Sequence, residues 1–354
     1  MMVIDTPYYE DRSRLSNSNI GWFLNKGPAF LHKMLTEDVP EEKNPVLERG
    51  TMIHEYILQP EEFQKDYVVW DKEKPSSAQQ EKFCQELANS VEIEPDKASI
   101  SAYKASYTTK GMSDKACLEK ALEIEKRLKD YISFLRCHDN RIMITPYDYM
   151  MLEKIEQNIS SHKLAWNIIW PLGKYKNIEL EGYSSKDVDM TNNHEFHINW
   201  EYDFSYRDSM GLAHMGEVKC KSLLDGLTID FKNKKFIIYD LKTTQKLWHF
   251  EDSMEQYDYL RQLAFYTQAV EWYLREEHGI DPKDEAWTYE HYIIAIDTTG
   301  SYDIRVFKVA MEDIETRDVT IHDAIADIEW HQRTNQWEHS RAYYEGDGSE
   351  ELSL

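Results

Sequence analysis

Asp225-Gly-Leu-Thr-Ile-Asp-Phe-Lys-Asn-Lys-Lys-Phe-Ile-Ile-Tyr-Asp240-Leu-Lys242-Thr-Thr244 decides how the rest of the chain is read. It predicts two strands joined by a turn. The second strand, beginning at Lys235, is apolar in its first half and charged at its end. Carboxylates and a lysine buried beside a core are costly unless they are paired or hold a metal. Asp225 and Asp240 with Lys242, converging at strand ends, can bind a hard divalent cation and activate a water beside it. Such an arrangement is suited to phosphodiester hydrolysis.

Working outward, the stretches Phe196–Tyr206 and Glu217–Asp225 alternate or run apolar as strands, as do 177–183 at the start of the meander. Residues 289–309 read as a hairpin. Helices are expected over 13–37, 45–58, most of 76–135, from Thr145 through Ile159, over 255–276 and over about 312–338. The fold class is α+β (or α/β), a central mixed sheet flanked by helices. Three divisions follow: an N-terminal helical segment 1–44, a main domain 45–310 with a helical insertion at about 76–135, and a C-terminal helix with an acidic tail, 311–354. The tail from Glu345 is expected to be disordered.

With 41 basic and 65 acidic residues, the chain carries a formal charge of −24. That argues against non-specific coating of nucleic acid or anionic membrane. Any DNA groove on such a body must be small and asymmetric, or shared between subunits. No stretch approaches the roughly 20 apolar residues of a membrane span, and the N-terminus lacks the pattern of a signal peptide. The cysteines, Cys84, Cys117, Cys137 and Cys220, form no CxxC pair. This fits reduced thiols in a cytosol, with no structural zinc or iron–sulfur cluster.

Further candidate residues sit at helical spacing. Gly50 and His54 share one face of the 45–58 helix, as Gln262 and Tyr266 do on the 255–276 helix. Asp240 and Lys242, two apart in a strand, point the same way. The bland readings are an ordinary surface ion pair for Asp240 and Lys242, and a turn cap at Asp225-Gly226. Lys219, Lys221, Lys232, Lys234, Lys235 and Lys246 form either a solvated hairpin or a phosphate-contacting rim. His194 and His197 lie at i and i+3 in strand-like sequence, where they face opposite ways, so both are read as structural. Trp248, Trp272, Trp330 and Trp337 are read as packing residues, with base stacking open for Trp248.

The order Gly50-Thr-Met-Ile-His54, Asp225, Asp240-Leu-Lys242 and Gln262-Leu-Ala-Phe-Tyr266 resembles the PD-(D/E)XK nuclease superfamily and its RecB-like branch. More closely, it resembles the exodeoxyribonuclease VIII (RecE-type) nucleases of phages and prophages. Leu15-Ser-Asn-Ser-Asn-Ile, Cys220-Lys-Ser-Leu-Leu-Asp225 and Asp240-Leu-Lys-Thr-Thr244 are similar to further stretches of that family, over roughly residues 13–310.

The resemblance implies a restriction-endonuclease-like core and a metal-dependent exonuclease acting 5′→3′ on duplex DNA ends. It assigns Asp225, Asp240 and the Leu241 carbonyl to Mg²⁺ or Mn²⁺, with His54 as a further ligand or orienter. Lys242 would position or deprotonate the attacking water. Gln262 and Tyr266 would hold the DNA end or support Lys242. Lys221, Thr243, Thr244 and Lys246 join them as DNA-contacting residues. A single-strand annealing protein and a homo-oligomer are the partners implied, in a bacterial or phage-infected cytosol. One departure stands out: Leu223 occupies the place where the family usually has arginine. An endonuclease of the same fold and a catalytically weak DNA- or protein-binding module are the alternative readings.

Overall fold

A computed structural model describes residues 8–39, 44–92, 94–176 and 189–349. The chain divides into two compact units, one from residues up to Pro60 together with those from Glu153, the other Glu61–Leu152. The stretch read as an insertion, about 76–135, lies within the second unit. That unit has its own apolar core, built on Phe83, Cys84, Leu87, Ala121 and Leu128. Its helices Ala78–Ala88, Pro95–Ser106, Asp114–Arg127 and Lys129–Arg136 surround this core. A short parallel pair, β1 (Tyr67–Val69) with β2 (Ile142–Ile144), completes it.

The first unit holds a five-stranded mixed sheet flanked by helices. Its strands are β3 (Met190–Arg207), β4 (Ala213–Asp230), β5 (Lys235–Thr244), β6 (Thr288–Asp297) and β7 (Ile304–Val309), adjacent in that order. Only β5 and β6 pair in parallel, and the helix Tyr259–His278 links them. The two stretches Glu217–Asp225 and Asp225–Asp230 form one long strand. The expected strand at 177–183 lies outside the described residues.

The pattern of β4 explains its placement. Val218, Cys220, Ser222 and Leu224 are buried on one face, where Cys220 and Leu224 join the core. Lys221, Leu223 and Asp225 alternate onto the other. The flanking segments belong to the same core: Leu15, Ile20 and Leu31 from the N-terminal side, Ile321, Ile325 and Ile328 from the C-terminal side. They do so because each supplies an apolar stripe at helical spacing, which must be covered.

Two expected helices are broken where the backbone turns left-handed. The 13–37 helix is divided at Gly27 (φ 82°), ahead of Pro28, into Asn17–Lys26 and Pro28–Thr36. The 255–276 helix begins only at Tyr259, after Asp258 at φ 48°. Asp258 is held there by Arg261 and Arg317, at 3.4 and 2.7 Å. A short helix, Arg341–Glu345, ends where the tail begins; residues 346–349 carry no helix or strand, and 350–354 lie outside the described part. Among the described residues no helix is long and apolar enough to cross a membrane, and the four cysteines are free thiols.

Candidate active site

The site begins where sheet pairing stops. β4 pairs with β5 only between Gly226–Asp230 and Lys235–Tyr239. From Asp240 onward, β5 keeps β6 on one edge and, among the described residues, has no strand on the other. The Leu241 N–H on that open edge donates to the Asp225 carboxylate, at 2.7 Å. In an extended strand the carbonyl of the same residue projects from the same edge. The Leu241 carbonyl therefore projects from the edge that carries the bond to Asp225.

Gly226 permits this arrangement in an unexpected way. It is a strand residue, and the Asp225-Gly226 pair caps no turn. A Cβ on Gly226 would lie 1.9 Å from a ring carbon of Tyr239. The absent side chain makes room for the Tyr239 ring, which packs across the sheet beside Asp225 and is fully buried.

Asp240 is 2% exposed. Its carboxylate pairs with the Lys242 ammonium on one oxygen and accepts from Gln262 Nε2 at 2.9 Å on the other. Gln262 also donates to the Tyr266 hydroxyl at 2.9 Å. The helix Tyr259–His278 therefore supports the β5 carboxylate through the face that carries Gln262 and Tyr266. Burial raises the Asp240 carboxyl to about 6, against the pull of Lys242, and Asp225 adds to the rise. Burial depresses the Lys242 ammonium, but the carboxylates of Asp240 and Asp225 outweigh it and hold it above its ordinary value. Lys242 also lies 4.9 Å above the ring of Tyr259.

His54 reaches the same place from the helix Pro45–Leu58, with Nδ1 3.5 Å from Asp225. One turn earlier, the site of a Cβ on Gly50 is 3.3 Å from Thr243 Oγ1. The glycine sets how closely this helix approaches β5, and hence where His54 stands.

Glu195 is the residue that sequence reasoning missed. The ladder pairs His194 with Gly226 and Phe196 with Leu224, leaving Glu195 opposite Asp225 but outside the pairing. Its φ of 49° is left-handed, a strained conformation for a glutamate. His54, Glu195 and Asp225 each offer a ligand atom, and these atoms lie within 4.8 Å of one another. Burial and the neighbouring charges of Asp225, Asp240 and Glu55 push the Glu195 carboxyl up to about 8. Three mutually repelling carboxylates with one nearby ammonium are short of positive charge. Two carboxylates and an imidazole also form a donor set that accepts a divalent cation. The residues fit a metal on both grounds.

Other expectations fare differently. Lys221 is on the Asp225 face of β4 but only 6% exposed, and its ammonium donates to the carbonyls of Tyr8 and Asp11. It ties down the N-terminal segment, beside the Leu15–Cys220 bridge, and is not presented to a phosphate. The basic cluster splits in two. Lys232, Lys234 and Lys235 sit at the β4–β5 turn or the start of β5, paired with Asp189, Glu285 and Glu290, while Lys246 is exposed beyond the other end of β5. His194 is structural, bonded to the carbonyls of Leu58 and Ile169. Trp330 and Trp337 are buried packing residues, whereas Trp248 is 78% exposed.

Neither a family model nor a curated protein matches the chain. Among solved structures it is similar to the crystal structure of a "Putative exonuclease" from Eubacterium rectale. The identity is 13% and the TM-score 0.41, over 99% of this chain and 89% of that one.

Proposed function

We propose that the protein is a metal-dependent deoxyribonuclease that hydrolyses phosphodiester bonds at DNA ends. The observation that carries this reading is the buried Asp240–Lys242 pair beside the His54, Glu195 and Asp225 donor set, at the open end of β5. A hard divalent cation in that set, Mg²⁺ or Mn²⁺, supplies a polarised water and neutralises phosphate charge. The single imidazole favours Mn²⁺ among cations of this kind.

Each protein group then has a definable task. His54, Glu195 and Asp225 hold the cation, and Leu241 offers its carbonyl beside them. Lys242 is kept as an ammonium by Asp240, so it offsets the charge growing on the phosphate and does not abstract the proton. Gln262 fixes the Asp240 carboxylate, and Tyr266 fixes Gln262. Water oxygen would bond to phosphorus as the bond to the 3′ oxygen breaks, the water releasing one proton to solvent and the departing 3′ oxygen taking one up, which leaves a 5′-phosphate and a 3′-hydroxyl. The 5′→3′ polarity, a role in phage-type recombination with an annealing protein, a homo-oligomeric assembly and a cytosolic location are supported by the motif resemblance alone.

Digestion of end-labelled linear duplex beside covalently closed circular DNA, in Mg²⁺ and in Mn²⁺, tests the reading. Loss of linear DNA only is the expected result, with polarity read from the labelled end. Nicking of the circle would replace the exonuclease with an endonuclease. Intact DNA in every lane would overturn the reading.

A further inference from the structure

The chain has 65 acidic residues, yet none of the described residues that line a groove of about 340 Å³ beside the site is acidic. It runs between the start of the helix Pro45–Leu58 and the end of β5, and carries Arg49, Lys246, Thr244, Ser253, Tyr257 and Tyr259. Among the described residues neither Arg49 nor Lys246 takes part in an ion pair, although both are exposed on a strongly acidic body. Two cations with no acidic partner among the described residues, set among hydroxyls and aromatic rings, form a surface for an anion that also has flat faces. The volume is at the small end of the roughly 300–1,000 Å³ typical of ligand sites.

Trp248 adds a stacking platform. The buried Leu247 and Phe250 anchor the turn that carries it, and Phe250 also lines the groove. Arg305 donates to the Leu247 carbonyl at 3.3 Å, and its guanidinium lies 5.3 Å from the centre of the Trp248 ring. The indole is therefore positioned while remaining 78% exposed. At the other end, Tyr259 lines the groove and lies under the Lys242 ammonium. The groove thus runs up to the candidate reacting centre.

We propose that this groove binds the unpaired part of a DNA strand, with its phosphates on Arg49 and Lys246 and a base stacked on Trp248. The proposal rests on the nuclease reading for the direction of the strand, toward Lys242, though not for the binding itself. Fluorescein-labelled single-stranded oligothymidine, titrated by anisotropy in Ca²⁺, tests it. Trp248→Ala should weaken binding about tenfold, and Trp248→Phe should recover most of that loss. Arg49→Gln with Lys246→Gln should lower the salt-dependence slope by about 1.4, two phosphate contacts on a single strand. The turn variant Lys234→Gln should leave both readouts unchanged.

Trp248→Ala binding within twofold of wild type, together with an unchanged salt-dependence slope in the Arg49→Gln, Lys246→Gln variant, would overturn the proposal. If that happened while wild type still degraded linear duplex in Mn²⁺, the nuclease reading would survive without the groove. If the variants lost binding but wild type cleaved nothing, the groove would stand and the nuclease reading would fall.

Discussion

The two ends of β5 carry similar residues in opposite circumstances. At the Lys235 end, the lysines of the turn are close to acidic partners, most of them exposed to water: Lys232 to Asp189, Lys234 to Glu285, Lys235 to Glu290. At the Asp240 end, the charges are withdrawn from water, and carboxylates outnumber cations. Asp240 lies only five positions beyond Lys235, roughly 17 Å of strand. The difference is one of pairing. The Lys235 end is in the sheet on both edges, whereas the Asp240 end loses β4 as a neighbour and gains side chains from two helices and a left-handed kink in β3. Charge density in the sequence does not by itself mark a site. Buried charge without enough compensation does.

The largest expected effect is on catalysis at the Asp240 end. Lys242→Ala should lower the cleavage rate by two to three orders of magnitude, as loss of a charge-stabilising group does, read well below a Tm that itself falls because buried Asp240 loses its partner. A loss of less than tenfold would break the contrast between the two ends. The next effect is on folding. Gly226→Ala forces a methyl against the buried Tyr239 ring and should cost about 1–3 kcal/mol, read as a lower denaturation midpoint. An unchanged midpoint would mean that the strands can shift apart freely there.

The pH dependence is the third test. Glu195 and Asp240 both have carboxyls raised in the folded state, to about 8 and about 6, from ordinary values of 4.5 and 3.8. The folded protein therefore holds protons that the unfolded chain has released. Their contribution to stability is fully present below the ordinary values and is lost as pH rises through about 6 and then about 8. In EDTA, Tm should fall across that window, and Glu195→Gln should flatten the decline. Mn²⁺ affinity should rise over the same window, because the ligand must lose its proton. An EDTA profile identical in wild type and variant would remove Glu195 from the site.

Smaller effects refine the picture. Gly50→Ala should leave stability unchanged or slightly higher, since alanine favours a helix interior by about 1 kcal/mol. Cleavage should nonetheless fall severalfold, because the helix carrying His54 must give way at Thr243 by a few tenths of an ångström. Lys232→Ala and Lys234→Ala should change stability by no more than about 0.5 kcal/mol and leave cleavage unaffected.

Much of this organisation was legible in the sequence. The period-two runs gave the strands, and the i, i+4 pairs Gly50/His54 and Gln262/Tyr266 came to the same strand end as Asp225, Asp240 and Lys242. What escaped was not periodic. Glu195 carries no pattern signal, because its contribution depends on a left-handed backbone that glutamate seldom adopts. Gly226 read as a turn signal because the sequence does not disclose an aromatic ring lying over it. Lys221 looked like a phosphate ligand, since nothing local reveals that the carbonyls of Tyr8 and Asp11 claim it. Trp248 reads as packing with base stacking open, because tryptophan is usually buried, and only the turn after β5 brings it to the surface.

On the proposed function, His54, Glu195 and Asp225 bind a divalent cation beside Asp240 and Lys242. Calorimetric titration of Mn²⁺ into wild type and Asp225→Asn above pH 8, where Glu195 is ionised, addresses it most directly. A saturable site in wild type that disappears in the variant is the expected result. No saturable heat in wild type, or the same site in Asp225→Asn, would contradict it.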